Sequence, residues 1–238
     1  PGGIATTYEY NDLGYRTKID DPDLGVLSYE YNGFGEVTRE IDPKNQIRTY
    51  EYDVLGRLRQ RVEPDMTTTF QYDTAPRGIG QLAATKRSDG QSAEYFYDAY
   101  ARLAGTSATI NGEQFVTRTD LDIYGRIVAT YYPSDGTAAP FVSRNVYDKK
   151  GFLVKVTNAT GTITYWTARA MDAQNRVTRE SLANGVDLQR TYGTLTNQLD
   201  RLLLTRQNSG LVDLRLQYDA TGNLNTRSDA VEGRRDSF

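Results

Sequence analysis

The stretch Tyr50-Glu51-Tyr52-Asp53-Val54-Leu55-Gly56-Arg57-Leu58 constrains this chain more than any global property, because variants of it recur from one end to the other. Tyr50 and Tyr52 stand two residues apart, so in a strand they point to one face. Asp53 through Gly56 form a turn: an Asp side chain bonds downstream backbone, and Gly accepts positive φ without a Cβ clash. Arg57-Leu58 then resumes extended chain. One strand–turn–strand unit is not stable alone in water. A chain built of such units must fold by laying each against the next.

Aligned on the second aromatic of Tyr-x-Tyr-Asp, the sequence gives ten units. The first three run from Tyr8 and Tyr10 to Gly14, from Tyr29 and Tyr31 to Gly35, and from Tyr50 and Tyr52 to Gly56. The fourth is Phe70-Gln71-Tyr72-Asp73, its turn lengthened through Gly78 and Gly80. The fifth holds Tyr95, Tyr97 and Asp98, with Ala101 where Gly is expected. Asp122 and Gly125 mark the sixth; Tyr147, Asp148 and Gly151 the seventh. The eighth, Met171-Asp172-Ala173-Gln174-Asn175, puts Asn at the glycine position, the next-best residue for a left-handed backbone. The ninth keeps little beyond Tyr192-Gly193, and the tenth holds Tyr218, Asp219 and Gly222.

The units are 20 to 26 residues long, the length of two strands and two short turns. Longer spacings predict loop insertions, such as Ser134-Asp135-Gly136-Thr137-Ala138-Ala139-Pro140. A second turn falls midway: Asp20-Asp21-Pro22-Asp23, Ile41-Asp42-Pro43-Lys44 and Glu63-Pro64-Asp65 place Pro at a first corner, and Asn158-Ala159-Thr160-Gly161 sits similarly. No stretch has a helical period. Ser181–Gly185 and Leu199–Leu204 tolerate helix by composition, but the phase of the array predicts strand there. The expected fold is all-β: tandem hairpins over residues 1–238 in one long antiparallel sheet of roughly 20 strands, about 95 Å across and curling as long sheets do.

Composition narrows the function. Tyrosine dominates the aromatics, with 18 Tyr against 7 Phe and 1 Trp, and hydrophobic residues are only 38% of the chain at a mean hydropathy of −0.63. That predicts a thin or hollow architecture built from rings with a wet tip. The net charge of −3 is spread without a basic block, so the footprint of a nucleic-acid binder is missing. The longest bulky apolar run is Leu202-Leu203-Leu204, far short of a membrane span. The chain has no Cys and no His, which excludes disulfides, thiolate metal sites and the familiar His-based triads. Pro1-Gly2-Gly3 is no signal peptide and falls in mid-repeat, so an excised piece of a longer chain is expected.

The recurring Tyr-x-Tyr-Asp-x-x-Gly-Arg-Leu, fullest at Tyr50–Leu58, closely resembles the YD repeat of the Rhs family. That family includes bacterial Rhs polymorphic toxins, the B and C components of Tc toxin complexes, wall-associated repeat proteins and teneurins. The resemblance covers nearly the whole chain. It implies one continuous sheet spiralling into a hollow shell that encloses a C-terminal toxic domain, in a secreted or cell-surface bacterial setting. The family's self-cleaving segment ends in an Asp-Pro-x-Gly type motif. Asp21-Pro22 and Asp42-Pro43 are turns inside repeats, so neither that chemistry nor a toxin activity carries over.

Several residues admit a second role. The tyrosine ladder suits cross-strand stacking better than a sugar platform, because a ligand site is usually one irregular place and this feature is everywhere. The repeated Asn11, Asn32, Asp53, Asp73, Asp98, Asp122, Asp148, Asp172 and Asp219 suit turn capping better than calcium, which needs several oxygens at one point. The densest acid cluster is Asp20-Asp21-Pro22-Asp23. No carboxylate pair stands out for glycoside hydrolysis. Asn158-Ala159-Thr160 is a glycosylation sequon in form, and Trp166 fits a packing gap. The expected protein is therefore a non-catalytic shell segment without cofactor. Its partners are other segments of the parent polypeptide and an enclosed cargo domain; the alternative is an adhesion or glycan-binding module. Open strand edges near Tyr8 and Leu224 predict end-to-end self-association.

Overall fold

A computed structural model describes residues 5–134, 136–137 and 139–238. Pro1–Gly3, expected to start in mid-repeat, and Asp135 and Ala138 of the expected insertion lie outside the described residues. The chain divides into two compact units, Pro1–Arg118 and Thr119–Phe238. Among the described residues there is no helix.

In the first unit the strands are β1 (Thr7–Tyr10), β2 (Arg16–Asp21), β3 (Gly25–Tyr31), β4 (Val37–Ile41), β5 (Ile47–Tyr52), β6 (Leu58–Glu63), β7 (Met66–Tyr72), β8 (Leu82–Arg87), β9 (Ser92–Tyr97) and β10 (Leu103–Ile110). β11 (Glu113–Leu121) pairs with β10 and runs past the unit boundary. The second unit continues with β12 (Ile127–Tyr131), β13 (Val142–Tyr147), β14 (Leu153–Asn158), β15 (Thr164–Met171), β16 (Val177–Leu182), β17 (Val186–Tyr192), β18 (Leu199–Arg206), β19 (Ser209–Tyr218), β20 (Leu224–Asp229) and β21 (Arg234–Ser237). Within each unit the strands form an antiparallel meander in chain order. The helix-tolerant Ser181–Gly185 and Leu199–Leu204 form strand and turn, as the phase of the repeat requires.

The four-residue Asp-x-x-Gly turn repeats one geometry, from which the lengthened turn after Asp73 departs (Asp73 N–H to the Gln81 carbonyl, 3.1 Å). Asp53 N–H donates to the Arg57 carbonyl (2.9 Å) and Gly56 N–H to the Asp53 carbonyl (3.0 Å). Gly56 sits at φ +75°, and the register slips between Glu51 and Tyr52. This is a type I turn closed by a left-handed residue and a bulge, a frequent solution for a short hairpin. At Ala101 the same conformation (φ +56°) is forced on a residue with a Cβ, which costs about 1–2 kcal/mol.

The core is thin. The only buried hydrophobic residues among those described are Ala83, Ala129 and Val186, and no large side chain is fully buried. Half-buried rings and aliphatic stems of charged residues cover the sheet instead. One expectation shifts: Leu224 does not border an open edge. β20 pairs with both β19 and a further strand, β21, so the last described strand is Arg234–Ser237. That strand lacks the aromatic signature, and its Arg234, Arg235 and Asp236 charge the edge, which opposes pairing with other chains.

Candidate functional site

The fullest copy of the motif forms a clasp that joins its hairpin to the next. Asp53 Oδ1 accepts the N–H groups of Leu55 (2.9 Å) and Arg57 (3.0 Å), while Oδ2 accepts from Arg57 Nε (2.7 Å). The arginine is thereby held upright at the turn. Its other face reaches the following unit: Nη1 and Nη2 donate to both oxygens of Asp73 (3.1 and 2.7 Å), and the guanidinium lies over the Tyr72 ring, 4.4 Å from its centre. Tyr72 Oη in turn donates back to the Leu58 carbonyl (3.0 Å). One arginine thus ties two acids and one ring across two units, a fork that lysine could not reproduce.

Other junctions carry parts of the same device. The second tyrosine donates to a carbonyl at the start of the preceding return strand from Tyr31 (to Arg16, 2.7 Å), Tyr52 (to Val37, 2.9 Å), Tyr97 (to Leu82, 2.6 Å), Tyr147 (to Ile127, 2.8 Å) and Tyr218 (to Leu199, 3.0 Å). Asp98–Arg102, Asp122–Arg126 and Asp172–Arg176 repeat the acid–arginine pair four residues apart. Arg126 covers Tyr147 at 4.4 Å and Arg176 covers Tyr192 at 3.7 Å. The side chains of Asn11, Asn32, Asp148 and Asp219 cap their turns by the same pair of backbone N–H bonds. Tyr8 and Tyr10, on β1, are exposed.

This corrects the expected role of the tyrosines. Only Tyr15 and Tyr31 stack as a tyrosine pair among the described rings, with centres 5.2 Å apart. Corresponding rings of successive units are two strands apart, about 9.5 Å, beyond the reach of ring stacking. The return strand between them supplies the arginine and the carbonyl that bridge the gap. The signal was present in the sequence as Arg four residues after Asp at 53, 98, 122 and 172.

The electrostatics follow. Hydrogen bonds from Arg57 hold the Asp73 carboxyl below its ordinary value, and the Arg57 backbone N–H and guanidinium do the same for Asp53. Arg102 lowers Asp98. Desolvation opposes the shift at Asp122 and Asp172, but the backbone and side-chain bonds from Arg126 and Arg176 outweigh it. Asp219, bonded by the Thr221 hydroxyl and the Asn223 backbone, is lowered to about 2. Carboxylates held in this way stay charged at neutral pH and make poor proton donors.

The remaining candidates have structural partners. Asp21 Oδ1 caps Asp23 and Leu24, and Oδ2 accepts from Thr6 (2.7 Å). No group of three metal-ligating side chains gathers among the described residues. Glu40, Asp42 and Glu63 surround Arg48 at 3.0, 3.7 and 3.6 Å, and Tyr50 donates to Glu40 (2.9 Å). Desolvation and the Glu40 carboxylate push the Tyr50 phenol up to about 12. The Asn158 amide is engaged by Thr160, Thr162 and the Ile163 N–H within its turn. Trp166 Nε1 donates to Glu180 (2.9 Å), so the half-buried indole is anchored as well as packed. A polar groove of about 460 Å³ in the second unit is lined by Arg169, Arg179, Ser181, Asp187, Gln189 and Thr205.

Residues 31–65 match the family model described as RHS Repeat, a stretch that contains the fullest motif. No curated protein matches the chain. Among solved structures, the crystal structure of TcdB2-TccC3-Cdc42 aligns with a TM-score of 0.80 at 16% identity, covering 94% of this chain and 12% of that one. The Photorhabdus luminescens Tc holotoxin pore with a mutated TccC3 aligns with a TM-score of 0.63 at 15% identity, covering 94% and 14%. TcdB2-TccC3 without its hypervariable C-terminal region gives 0.61 at 17%, over the same shares. This chain spans 12–14% of the length of those proteins, and at such identity the likeness is one of fold. The Rhs/YD resemblance is thus met by the repeat at 31–65 and by the all-β architecture.

Proposed function

We propose that this chain is a structural, non-catalytic segment of an Rhs/YD-type shell, in which residues 1–238 act as one repeat array that helps enclose and carry a cargo domain outside the cell. The observation that carries this reading is the clasp: the motif's acids, arginines and tyrosine hydroxyls are spent on joining hairpin to hairpin. Function then lies in exclusion. A continuous backbone-bonded wall bars proteases and water-borne targets from what lies behind it. The other segments of the parent polypeptide complete the wall.

The test is limited proteolysis of the parent polypeptide with its cargo. Opening two junctions with Arg57→Ala and Arg126→Ala should make the cargo cleavable while backbone circular dichroism stays that of a β protein. Cargo equally protected with both junctions opened, or equally cleaved in the unaltered protein, would sink the reading.

Surface adhesion through glycans is a second reading, favoured by one irregular place. Tyr132, Phe141 and Tyr165 form a partly exposed trio with ring centres 5.5 and 5.7 Å apart beside the longest insertion. Saturable binding on a glycan array, lost in Phe141→Ala, would favour adhesion over enclosure.

A further inference from the structure

The two rims of the first unit differ in a way that turn chemistry does not require. Every odd-to-even connection lies on one rim, and each displays large apolar side chains at its tip: Leu13, Phe34, Val54 and Leu55, Ile79, and Tyr100. Phe34 is 90% exposed, Leu55 72% and Ile79 85%. The opposite rim is polar at its tips, with Pro22-Asp23, Pro43-Lys44, Pro64-Asp65, Asp89 and Asn111-Gly112, Leu24 being the large apolar exception there and Ile47 and Ile110 being less exposed beside their turns. The central positions of a type I turn accept polar residues without cost, so nothing local selects leucine, phenylalanine or isoleucine there. A contiguous apolar row in water marks a contact surface.

We propose that this apolar rim of the first unit is an interface that seats a second copy of the chain, rim against rim. Three observations choose that occupant. First, the tips recur every two strands, about 9.5 Å, and a second copy carries the same interval, so one register engages every tip. A helix offers a new turn every 5.4 Å and would meet the row only intermittently. Second, charges of both signs alternate along the tips: Asp12, Asp53, Asp73 and Asp98 are interspersed with Arg57, Arg77 and Arg102, so no single-sign field holds two rims apart. Third, six side chains at on the order of 100 Å² each give about 600 Å² per copy, at the lower limit of specific interfaces. The contact is a weak, concentration-dependent dimer about a two-fold axis, with Leu55 near its centre.

Sedimentation equilibrium of the 238-residue chain tests this from micromolar to millimolar concentration. The expected result is a monomer–dimer equilibrium that weakens at least tenfold in the triple variant Phe34→Ser, Leu55→Ser, Ile79→Ser and is unchanged in Leu24→Ser. Because the chain has no cysteine, Leu55→Cys gives an independent readout: it should oxidise to a disulfide-linked dimer faster than Leu24→Cys. A monomer throughout, or a dimer that survives the triple variant, overturns the proposal, as does equal cross-linking of the two cysteine variants.

Discussion

Two junctions of the array, at Arg57 in the first unit and at Arg176 in the second, show which part of the clasp is essential and which is replaceable. Both arginines bond the acid four residues before them, Asp53 and Asp172, and both lie on the next unit's tyrosine. They differ in the far partner. Arg57 meets a second carboxylate, Asp73, through two bonds, whereas Arg176 reaches only the Asn197 carbonyl (3.2 Å). Tyr72 returns a hydroxyl bond to Leu58; Tyr192 has no such bond among those described. The turn residue differs too, Gly56 against Asn175, both left-handed. Arginine stacked on tyrosine survives where the second acid, the hydroxyl bond and the glycine are lost. The cation over the ring, held by its own turn's acid, is therefore the link common to both junctions, and the second acid adds strength and geometry.

The largest effect should come from the ring. Tyr72→Ala removes the platform of Arg57 and the bond to Leu58, and should cost about 2–3 kcal/mol in denaturant unfolding. Tyr192→Ala should cost roughly 1 kcal/mol less, because it gives up no hydroxyl bond. Equal losses would mean that Oη contributes nothing. Removing the cation comes next: Arg57→Ala should lower Tm by roughly 2–4 °C and Arg176→Ala by about half as much. A double-mutant cycle of Arg57 with Asp73 isolates the second carboxylate, and a coupling of zero would remove it from the account.

Turn substitutions sharpen the comparison at smaller scale. Ala101→Gly should stabilise by about 1 kcal/mol, since it relieves a Cβ in the left-handed region, while Asn175→Gly should gain only a few tenths. Gly56→Ala should lose stability, because Gly56 sits at φ +75°, where a Cβ is strained; the flexible Glu36 carboxylate, 2.7 Å from that Cβ, can swing aside. Acid gives the smallest contrast. The carboxyls of Asp53, Asp73 and Asp172 are lowered in the folded state, so their contribution is present above the ordinary carboxylate pKa near 4 and fades as pH falls through the folded values. The Arg57 junction holds two such acids and the Arg176 junction one. Hydrogen exchange on lowering the pH from 5 toward 3 should loosen β6–β7 before β16–β17, and the reverse order would contradict the assignment.

Much of the fold was legible because the signals are local. Asp or Asn at the turn and a left-handed residue three positions on give the hairpin phase at 11, 32, 53, 98, 122, 148, 172 and 219, while the turn after Asp73 is stretched. What was hidden is the cross-unit geometry. The acceptor of Tyr72 Oη is a backbone carbonyl, which leaves no trace in residue identity. The second partner of Arg57 lies 16 residues on and becomes visible only when strand register is known. β21 escaped because Arg234–Ser237 carries no aromatic signature; backbone pairing and the Arg227–Asp236 ion pair (2.7 Å) hold it to β20.

The chain-order meander has a thermodynamic consequence. Within each unit the described strands touch only their immediate neighbours in sequence, so each closure in folding spans one loop, and the entropic penalty of forming a new rung is nearly constant along that unit. Stability then accumulates as a sum of nearest-neighbour couplings. Folding can start at any strong junction, of which Arg57 is the best candidate, and spread outward in both directions. By the same logic a whole hairpin can be inserted or deleted by recombination at a turn with the loss or gain of one coupling, which lets such an array change length while every remaining rung keeps its neighbours.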